Sequence, residues 1–486
     1  MKIKNLILSI GFGIYPIIFL YNYNKDFIRF YDIFRPIFLS IAIIISLYLI
    51  LYKTFNKNAE KALTLTAIIS ILFFTYGHIY ELSENLRHRF LIPIWIGLFI
   101  LAYLQVKKSS KVAPWLVDFI SFVGLLLVVF SSFQIISGFI QLIPSNDHPP
   151  RESYKDNSPD IYYIVADGYS RGDVLMDQFN FDNSAFLKKL ENEGFYIADC
   201  SLTNYSWTFL SVTSTLNLDY LETKDEAYHD AFNDAYIWDI LNEHGYTTIV
   251  LDNDFSRTMV IDSDVYLKDF SSNDKLQYTF SDFEFMLIKT SATLILTDGL
   301  GAISDSIYEK ITAAPLNIRY EKTTSLIKNL KLIANLYQSP KFVYAHIMVP
   351  HDPFIFSPDG ELIPEEKDME KGYINSVKYL NSELLSIIDS ILSTSDEPPI
   401  IIIQSDHGWP LSPKESRMPI LNTYYLPAQS DVSLYETITP VNTFRLLFNT
   451  YLETNFDILE DISYYTNHLQ QEIEDGEIFT NNCVSD

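Results

Sequence analysis

Five long apolar runs fill the first 144 residues of this 486-residue chain. Each run is close to the roughly 20 residues that an α-helix needs to cross a bilayer, and short charged segments separate one run from the next. Because so many runs in so short a stretch are unlike the helices of a soluble core, the pattern predicts a permanent anchor of five transmembrane helices over residues 1–144. The runs are 5–23, 36–52, 63–80, 90–106 and 115–143.

The charges of the loops predict the orientation of this anchor. With the N-terminus inside, the inner segments carry eight lysines, and the outer segments carry five Lys and Arg residues. Since positively charged loops stay preferentially in the cytoplasm, we expect a cytoplasmic N-terminus. Five spans then place the rest of the chain outside, in a multi-pass protein of the plasma or inner membrane.

The net charge changes sign at the end of the anchor. Residues 1–144 hold 13 Lys and Arg against six Asp and Glu, whereas residues 145–486 hold 22 against 55. This acidic remainder excludes a nucleic-acid binder that works through bulk basicity, because phosphate backbones recruit Lys and Arg. Cys200 and Cys483 are the two cysteines, too few for a disulfide framework, a Cys-based zinc site or an iron–sulfur cluster. The sequence leaves the oligomeric state open.

Beyond a polar linker at 145–159, short β-rich runs alternate with longer amphipathic ones. Continuous apolar strands followed by helices are typical of a mostly parallel sheet covered on both faces. We therefore expect an α/β catalytic domain over 160–470 and a mobile acidic tail over 471–486. Lys289 and Asp298 interrupt the apolar run 283–301, which we expect to be a core or interfacial helix and not a sixth span. The predicted strands are 160–166, 194–198, 247–251, 342–348 and 400–404.

Three of these strands end in polar residues that suit a metal ion. In parallel sheets, polar chemistry gathers at the carboxyl ends of the strands. Asp and neutral His are ligands for Zn²⁺ and Mn²⁺. The strand ends therefore predict a site for a divalent metal. The residues at those ends are Asp167, His346, His351, Asp406 and His407.

A hydroxyl-rich stretch supplies a candidate nucleophile. Thr208 and Ser211 open what reads as a helix. A hydroxyl beside a divalent metal can lose its proton and attack phosphorus or sulfur, and the amides of the first helical turn can hold the anionic group. Taken alone, Thr208 would be a helix-capping residue. Together with the strand ends, it becomes the candidate nucleophile.

In this order, these elements resemble the alkaline phosphatase superfamily in its sulfatase-like branch, over roughly residues 158–430. The most specific part is Asp406-His407-Gly408 after a run of isoleucines. Five spans followed by such a domain resemble the lipoteichoic acid synthases and lipid A phosphoethanolamine transferases. The resemblance implies a phosphoryl-group transferase or hydrolase that acts on a membrane lipid or an envelope glycan.

The resemblance also implies a role for each candidate residue. Thr208 would be both nucleophile and metal ligand, and would form a covalent phospho-threonine. The other ligands of a single Zn²⁺ or Mn²⁺ would be Asp167, Asp406 and His407. His351 would lie at the leaving group. His346 would either support the metal ligands or contact the substrate. From their positions, beside Thr208 and soon after Asp406-His407-Gly408, we also expect Ser211 and Arg417 at an anionic substrate.

The chain departs from true sulfatases at the nucleophile. Those enzymes carry Cys or Ser in a C/S-x-P-x-R motif and oxidise it to formylglycine, whereas Thr208 cannot become an aldehyde and lacks the following Pro and Arg. Phosphoric ester chemistry is therefore favoured over sulfuric. A second metal could draw on His346, His351 and Asp252, but we expect only one. Two alternatives stay open: a plain hydrolase of phosphate or sulfate esters, and a catalytically inactive membrane-tethered binding protein.

Overall fold

The computed structural model divides the chain into two compact units. Unit 1 comprises Met1–Ser145 and Lys275–Pro315, and unit 2 comprises Asn146–Asp274 and Leu316–Asp486. The residues that the structure describes are 2–24, 30–82, 87–109, 119, 122–133, 158–221, 232–253, 263–267, 281–303, 314–409, 414–427, 432–466, 473, 476–481 and 483.

The helices and strands of both units are numbered in chain order. The helices are α1 (Lys2–Asn24), α2 (Phe34–Thr54), α3 (Ala59–Glu81), α4 (His88–Lys108), α5 (Phe122–Phe133), α6 (Gly172–Phe179), α7 (Ser184–Asn192), α8 (Thr208–Asn217), α9 (Tyr236–Glu243), α10 (Asp282–Thr290), α11 (Thr293–Ile303), α12 (Ala314–Leu336), α13 (Met369–Thr394), α14 (Lys414–Arg417) and α15 (Pro440–Tyr451). The strands are β1 (Ile161–Ala166), β2 (Tyr196–Ile197), β3 (Thr247–Leu251), β4 (Val265–Leu267), β5 (Lys341–Ile347), β6 (Ile400–Gln404), β7 (Asn422–Tyr425), β8 (Tyr464–Tyr465) and β9 (Glu477–Ile478).

Unit 1 contains apolar helices at the predicted runs. Three helical segments of the described chain are long and apolar enough to cross a membrane: Phe30–Thr54, which is α2 with the 3₁₀ turn before it, and the helices α3 and α4. The first predicted run lies in α1, and α5 covers the described core of the last. Three of the predicted spans are therefore helices of sufficient length and apolarity to cross a membrane, and the count of five stays a prediction.

Residues 275–315 belong to unit 1, although the sequence places them inside the 160–470 domain. The run 283–301 forms two short helices, α10 and α11, and α10 packs against α1 and α3. Phe283 of α10 is fully buried in a cluster with Ile17 and Leu20 of α1. The apolar residues of α10 therefore belong to the core of unit 1. Their spacing along the chain does not show which core they enter.

The sheet of unit 2 confirms the predicted α/β domain. Its strand order is β2-β7-β6-β1-β5-β3-β4. The central strand β1 pairs in parallel with β5 and β6, while β7 and the short β2 are antiparallel. All residues of β1, β5 and β6 are buried, because helices cover both faces. One core contains α6, α7, α12 and α13, and the other contains α8, α9 and α15.

The expected acidic tail contains ordered contacts in its described part. β9 pairs with β8, and Asn481 Nδ2 donates to the carbonyl of Cys200 at 2.6 Å. Cys483 forms a disulfide with Cys200, with a Cα–Cα distance of 5.4 Å. The two cysteines therefore join the end of the chain to the segment that precedes α8.

Candidate active site

Three adjacent strands bring the predicted ligands together at one edge of the sheet. Asp167 directly follows β1, and Asp406 lies two residues beyond β6. Val165 of β1 is in register with His346 of β5 on one side and with Gln404 of β6 on the other. Since these strands are parallel, their carboxyl ends meet at the same edge.

Two glycines allow the tight turns that carry these residues. Gly168 has a φ of 77°, which a side chain would strain. Its N–H donates to Asp406 Oδ1 at 3.0 Å and so joins the ends of β1 and β6. A Cβ on Gly408 would lie 2.2 Å from the carbonyl oxygen of Ser416. In the Asp-Gly and Asp-His-Gly sequences, the glycines are therefore required by the backbone, while Asp and His supply the chemistry.

The five predicted residues form two overlapping groups that could hold a metal ion. One is Asp167, His351 and His407, and the other is Asp167, His346 and Asp406; within each group the ligand atoms lie within 4.8 Å of one another. Asp167 Oδ2 is 3.2 Å from His346 Nε2, and Asp406 Oδ2 is 3.5 Å from His407 Nε2. His351 is the one member with an accessible side chain, 29% exposed.

Two carboxylate oxygens of this cluster are buried without a hydrogen bond. They are Asp167 Oδ1 and Asp406 Oδ2, which have no donor in the described part of the chain. A buried, unpaired carboxylate oxygen is costly unless a cation or a donor satisfies it. Burial opposes ionisation of Asp167, but His351 and His346 hold the pKa of this carboxyl well below its usual range. The pair therefore forms a negatively charged cradle that fits a divalent cation.

His407 is held in the tautomer that a metal ligand requires. Its Nδ1 is 2.7 Å from the carbonyl oxygen of Gly408, so we assign the N–H to Nδ1. Burial lowers the pKa of His407, despite the opposing attraction of Asp406. The neutral ring then directs the lone pair of Nε2 toward the two carboxylates, an arrangement typical of metal-binding histidines.

Thr208 is the first residue of α8, and its side chain is half-buried. The loop before it is joined to the strand end of Asp406, because Thr203 Oγ1 donates to the backbone carbonyl of Asp406 at 2.5 Å. No side-chain cap occupies the N-terminus of α8 among the described residues. The N–H groups of Leu210 and Ser211 donate to the carbonyl of Trp207, at 3.0 and 2.9 Å, so the predicted contact of the first amides with an anion stays a prediction.

Arg417 and Ser211 hold the same loop from two sides. The buried Arg417 donates from Nε to the carbonyl of Ser206 at 2.6 Å, and its guanidinium lies 4.6 Å from the centre of the Trp207 ring. Burial lowers the pKa of Arg417, but a guanidinium stays cationic in proteins. The Ser211 hydroxyl is buried and lies 2.9 Å from Thr203 Oγ1. The substrate contacts predicted for Arg417 and Ser211 stay predictions.

Hydroxyl groups that the sequence did not indicate help to fix the site. Ser405 Oγ donates to the carbonyl of Ala166 at 2.7 Å and accepts from the N–H of Tyr169 at 2.8 Å, so it joins the ends of β1 and β6. In the same way, Thr203 Oγ1 joins the loop before Thr208 to the backbone at Asp406. Neither residue belongs to a pattern that separates it from other loop hydroxyls. Asp252, considered for a second metal, belongs to neither group of candidate ligands.

One comparison with known proteins identifies the type of domain. A sulfatase family model matches residues 159–446. None of the curated proteins is a significant match. Similar solved structures have low identity and low TM-scores, and at this level they carry nothing about the substrate of this chain.

Three of these structures illustrate the range. The C-terminal periplasmic domain of EptC from Escherichia coli, in complex with zinc, has 12% identity and a TM-score of 0.41, with 62% of this chain and 86% of that chain covered. The integral membrane lipooligosaccharide phosphoethanolamine transferase EptA from Neisseria meningitidis has 13% identity and a TM-score of 0.37, with coverages of 87% and 88%. A protein from a glycosaminoglycan-metabolising locus of Bacteroides thetaiotaomicron has 12% identity and a TM-score of 0.37, with coverages of 63% and 80%.

Proposed function

Because the chain belongs to the sulfatase family, we propose that it is a membrane-anchored, metal-dependent enzyme that transfers or hydrolyses a phosphoryl group on an envelope lipid or glycan. The observation that carries this proposal is the buried pair Asp167 and Asp406, each with an unsatisfied carboxylate oxygen, beside the loop that leads to Thr208. In this proposal Thr208 forms a covalent intermediate.

One divalent ion, Zn²⁺ or Mn²⁺, would be held by Asp167, Asp406 and His407, with Thr208 as the fourth ligand. These residues fit such an ion because all three are buried and His407 Nε2 lies 3.8 Å from Asp167 Oδ1 and 3.5 Å from Asp406 Oδ2. When bound, the ion would neutralise the phosphoryl oxygens and lower the pKa of the nearby hydroxyl.

In the first half of the reaction, Thr208 gives up its hydroxyl proton to solvent and Oγ attacks phosphorus. The Oγ–P bond forms as the bond between phosphorus and the leaving oxygen breaks. His351 then gives a proton to the leaving oxygen. This role fits its partial exposure and the position of Nδ1, 2.9 Å from the carbonyl of Asp352, which leaves Nε2 for the substrate.

The second half reverses these roles. Neutral His351 accepts the proton of an acceptor hydroxyl or of water, and that oxygen attacks the phospho-threonine. As the Oγ–P bond breaks, Thr208 Oγ takes up a proton from solvent, and the phosphorylated acceptor leaves. The cationic Arg417 stabilises the negative charge of the phosphoryl oxygens in both halves.

The predicted orientation is supported within unit 1. The outer ends of the predicted spans are the end of α3 and the starts of α2 and α4. Residues 281–303 make polar contacts with the starts of α2 and α4 and with Phe73 in the second half of α3. Arg35 at the start of α2 pairs with Glu284, and the N–H of Ala292 donates to the carbonyl of Phe73 at 2.7 Å. His88 of α4 lies 2.7 Å from Asp298.

A segment that follows 145–274 in the chain thus lies at the predicted outer side. The Cys200–Cys483 disulfide is also typical of an oxidising compartment outside the cytoplasm. We therefore propose an extracytoplasmic unit 2.

The test is hydrolysis of an aryl phosphodiester and an aryl sulfate by the purified full-length protein, with Zn²⁺ or Mn²⁺ and after chelation. We expect metal-dependent phosphodiester cleavage that falls about 10³-fold or more in Thr208→Ala, because removal of a nucleophile has effects of this order. Thr208→Ser keeps a hydroxyl and should retain measurable activity.

The matched control is Thr213→Ala, a buried threonine further along α8, which should keep its activity. Activity that survives in Thr208→Ala, or cleavage of the sulfate ester alone, would contradict the proposal.

A further inference from the structure

The loop that carries His351 has few backbone donors of its own. It comprises residues 348–353, between the end of β5 and the buried Phe354. Two of these residues, Pro350 and Pro353, have no N–H group. The carbonyl groups of the loop therefore depend on donors from other elements or from water.

Arg319 of α12 is such a donor. Its Nη2 donates to the carbonyl oxygen of Met348 at 2.8 Å and to that of His351 at 3.3 Å. Because this nitrogen carries two N–H groups, it can donate to both carbonyls at once. Among the residues that the structure describes, these are the only hydrogen bonds that join the backbone of 348–353 to an element other than β5, the strand before it.

The backbone of this loop sets the direction of the His351 ring. Nδ1 of the ring lies 2.9 Å from the carbonyl oxygen of Asp352 and 3.2 Å from its carboxylate. Both groups are acceptors, so we assign the N–H to Nδ1, which leaves Nε2 for the substrate. Arg319 holds the carbonyl of His351, and the next residue holds the ring. A shift of this backbone therefore moves the ring with it.

We propose that Arg319 is a positioning residue for His351, which holds the loop so that the ring can give its proton to the leaving oxygen. This inference rests on the acid–base role proposed for His351. Proton transfer requires the ring nitrogen within hydrogen-bond distance of the leaving oxygen. A misplacement of about 1 Å can slow a reaction about 100-fold, so the loss of two hydrogen bonds from this loop has a measurable effect.

The choice of leaving group distinguishes this role from a purely structural one. A nitrophenolate leaves without a proton, whereas an alkoxide needs one. Loss of a positioning residue for His351 should therefore slow the cleavage of alkyl esters selectively. Loss of a contact that only supports the fold or the metal site should slow the cleavage of both kinds of ester.

The test is kcat of the full-length, metal-loaded protein on an alkyl and on a nitrophenyl phosphodiester. Arg319→Met keeps the aliphatic stem and removes the donors. We expect it to lower kcat about 10- to 100-fold for the alkyl ester and less than about three-fold for the nitrophenyl ester. Arg319→Lys keeps a charged donor and should lie between Arg319→Met and wild type. Equal losses on both esters in Arg319→Met would overturn the inference.

The double variant Arg319→Met, His351→Gln tests whether Arg319 acts through His351. Once the ring is absent, loss of Arg319 should add nothing, so the double variant should match His351→Gln on both esters. A further fall of kcat for the alkyl ester in that background would also overturn the inference.

This series also separates the inference from the proposed function. If His351→Gln slows the alkyl ester selectively and Arg319→Met does not, only the role of Arg319 is refuted. If His351→Gln affects both esters equally, the acid–base role of His351 fails, and the role of Arg319 fails with it.

Two matched controls come from the same helix. Tyr320→Phe removes a hydrogen bond of 2.9 Å to the carbonyl of Gly360, which lies outside the 348–353 loop. Lys331→Met removes a positive charge and its ion pair with Glu383. Both controls should keep the wild-type ratio of the two kcat values, and Arg319→Met should keep the wild-type metal content. A control that changes the ratio as much as Arg319→Met does would contradict the inference.

Discussion

Replacement of Asp406 by Asn tests the negatively charged cradle, because it removes one charge and almost no volume. Asp406 Oδ1 accepts from the N–H of Gly168, a bond that an Asn oxygen can keep, while Oδ2 has no donor among the described residues. In Asp406→Asn, an NH₂ group takes the place of Oδ2, 3.5 Å from His407 Nε2, and no unpaired carboxylate oxygen is left at this residue. The variant should therefore bind metal poorly and yet be more stable than metal-free wild type.

The two effects can be given magnitudes. A ligand at 1,000 times its Kd stabilises a fold by about 4.1 kcal/mol. If Asp406→Asn weakens metal binding about 100-fold, the same metal concentration is only ten times the new Kd. The stabilisation by the metal then falls to about 1.4 kcal/mol. The metal-free variant should gain about 1–3 kcal/mol in free energy of unfolding, because it no longer buries an unpaired carboxylate oxygen at this position.

The assay is thermal unfolding of the full-length protein with and without Zn²⁺ or Mn²⁺, together with equilibrium dialysis for metal content. Asp173→Asn is the matched control, because Asp173 pairs with Arg171 and its side chain is 54% exposed. The control should keep the metal response of wild type. Metal binding by Asp406→Asn at wild-type affinity, or a metal-free variant less stable than metal-free wild type, would refute the account of the cradle.

Three further predictions concern groups around the site. His351→Gln should slow cleavage of alkyl phosphodiesters about 10²- to 10⁴-fold but hardly affect nitrophenyl esters, whose leaving group needs no proton. The measurement is kcat of the variant and of wild type on the two substrates. Gly408→Ala places a Cβ 2.2 Å from the Ser416 carbonyl and should cost about 2 kcal/mol or more in thermal unfolding, whereas Gly299→Ala, with open space around it, should cost little. Thr466→Val removes the acceptor of Trp207 Nε1, at 2.9 Å, and should lower kcat about ten-fold with metal content unchanged, since it frees the loop before Thr208.

The parts of the fold that the sequence predicted are those with an unbroken apolar signal. β1, β5 and β6 are buried on both faces, so they appear as continuous apolar runs and their carboxyl ends could be located. β4 and β7 were missed. They have three and four residues, too short for a periodicity to stand out.

The parts that were missed depend on contacts distant in sequence. The apolarity of 283–301 predicts burial but not which core it enters, and it belongs to unit 1. Acidic composition suggested a mobile tail after 470, but pairing of Cys200 with Cys483 depends on tertiary structure and joins that end to unit 2.

The residues of the candidate site also divide into those that the sequence predicted and those that only the folded structure identifies. Asp167, Asp406 and His407 were found because strand ends converge and because their glycine neighbours mark tight turns. Thr203 and Ser405 hold the loops through backbone carbonyls. Any hydroxyl residue can make such bonds, so only the folded geometry identifies them.

The central claim is a covalent phosphoryl intermediate on Thr208. Its most direct measurement is rapid acid quenching of the full-length, metal-loaded protein during turnover of an aryl phosphodiester, followed by mass spectrometry of the peptide that spans Ser206 to Ser211. We predict a phosphoryl-type adduct on Thr208 that forms at least as fast as steady-state turnover and is absent without metal. An adduct on Ser206 or Ser211, or turnover with no adduct on this peptide, would contradict the account.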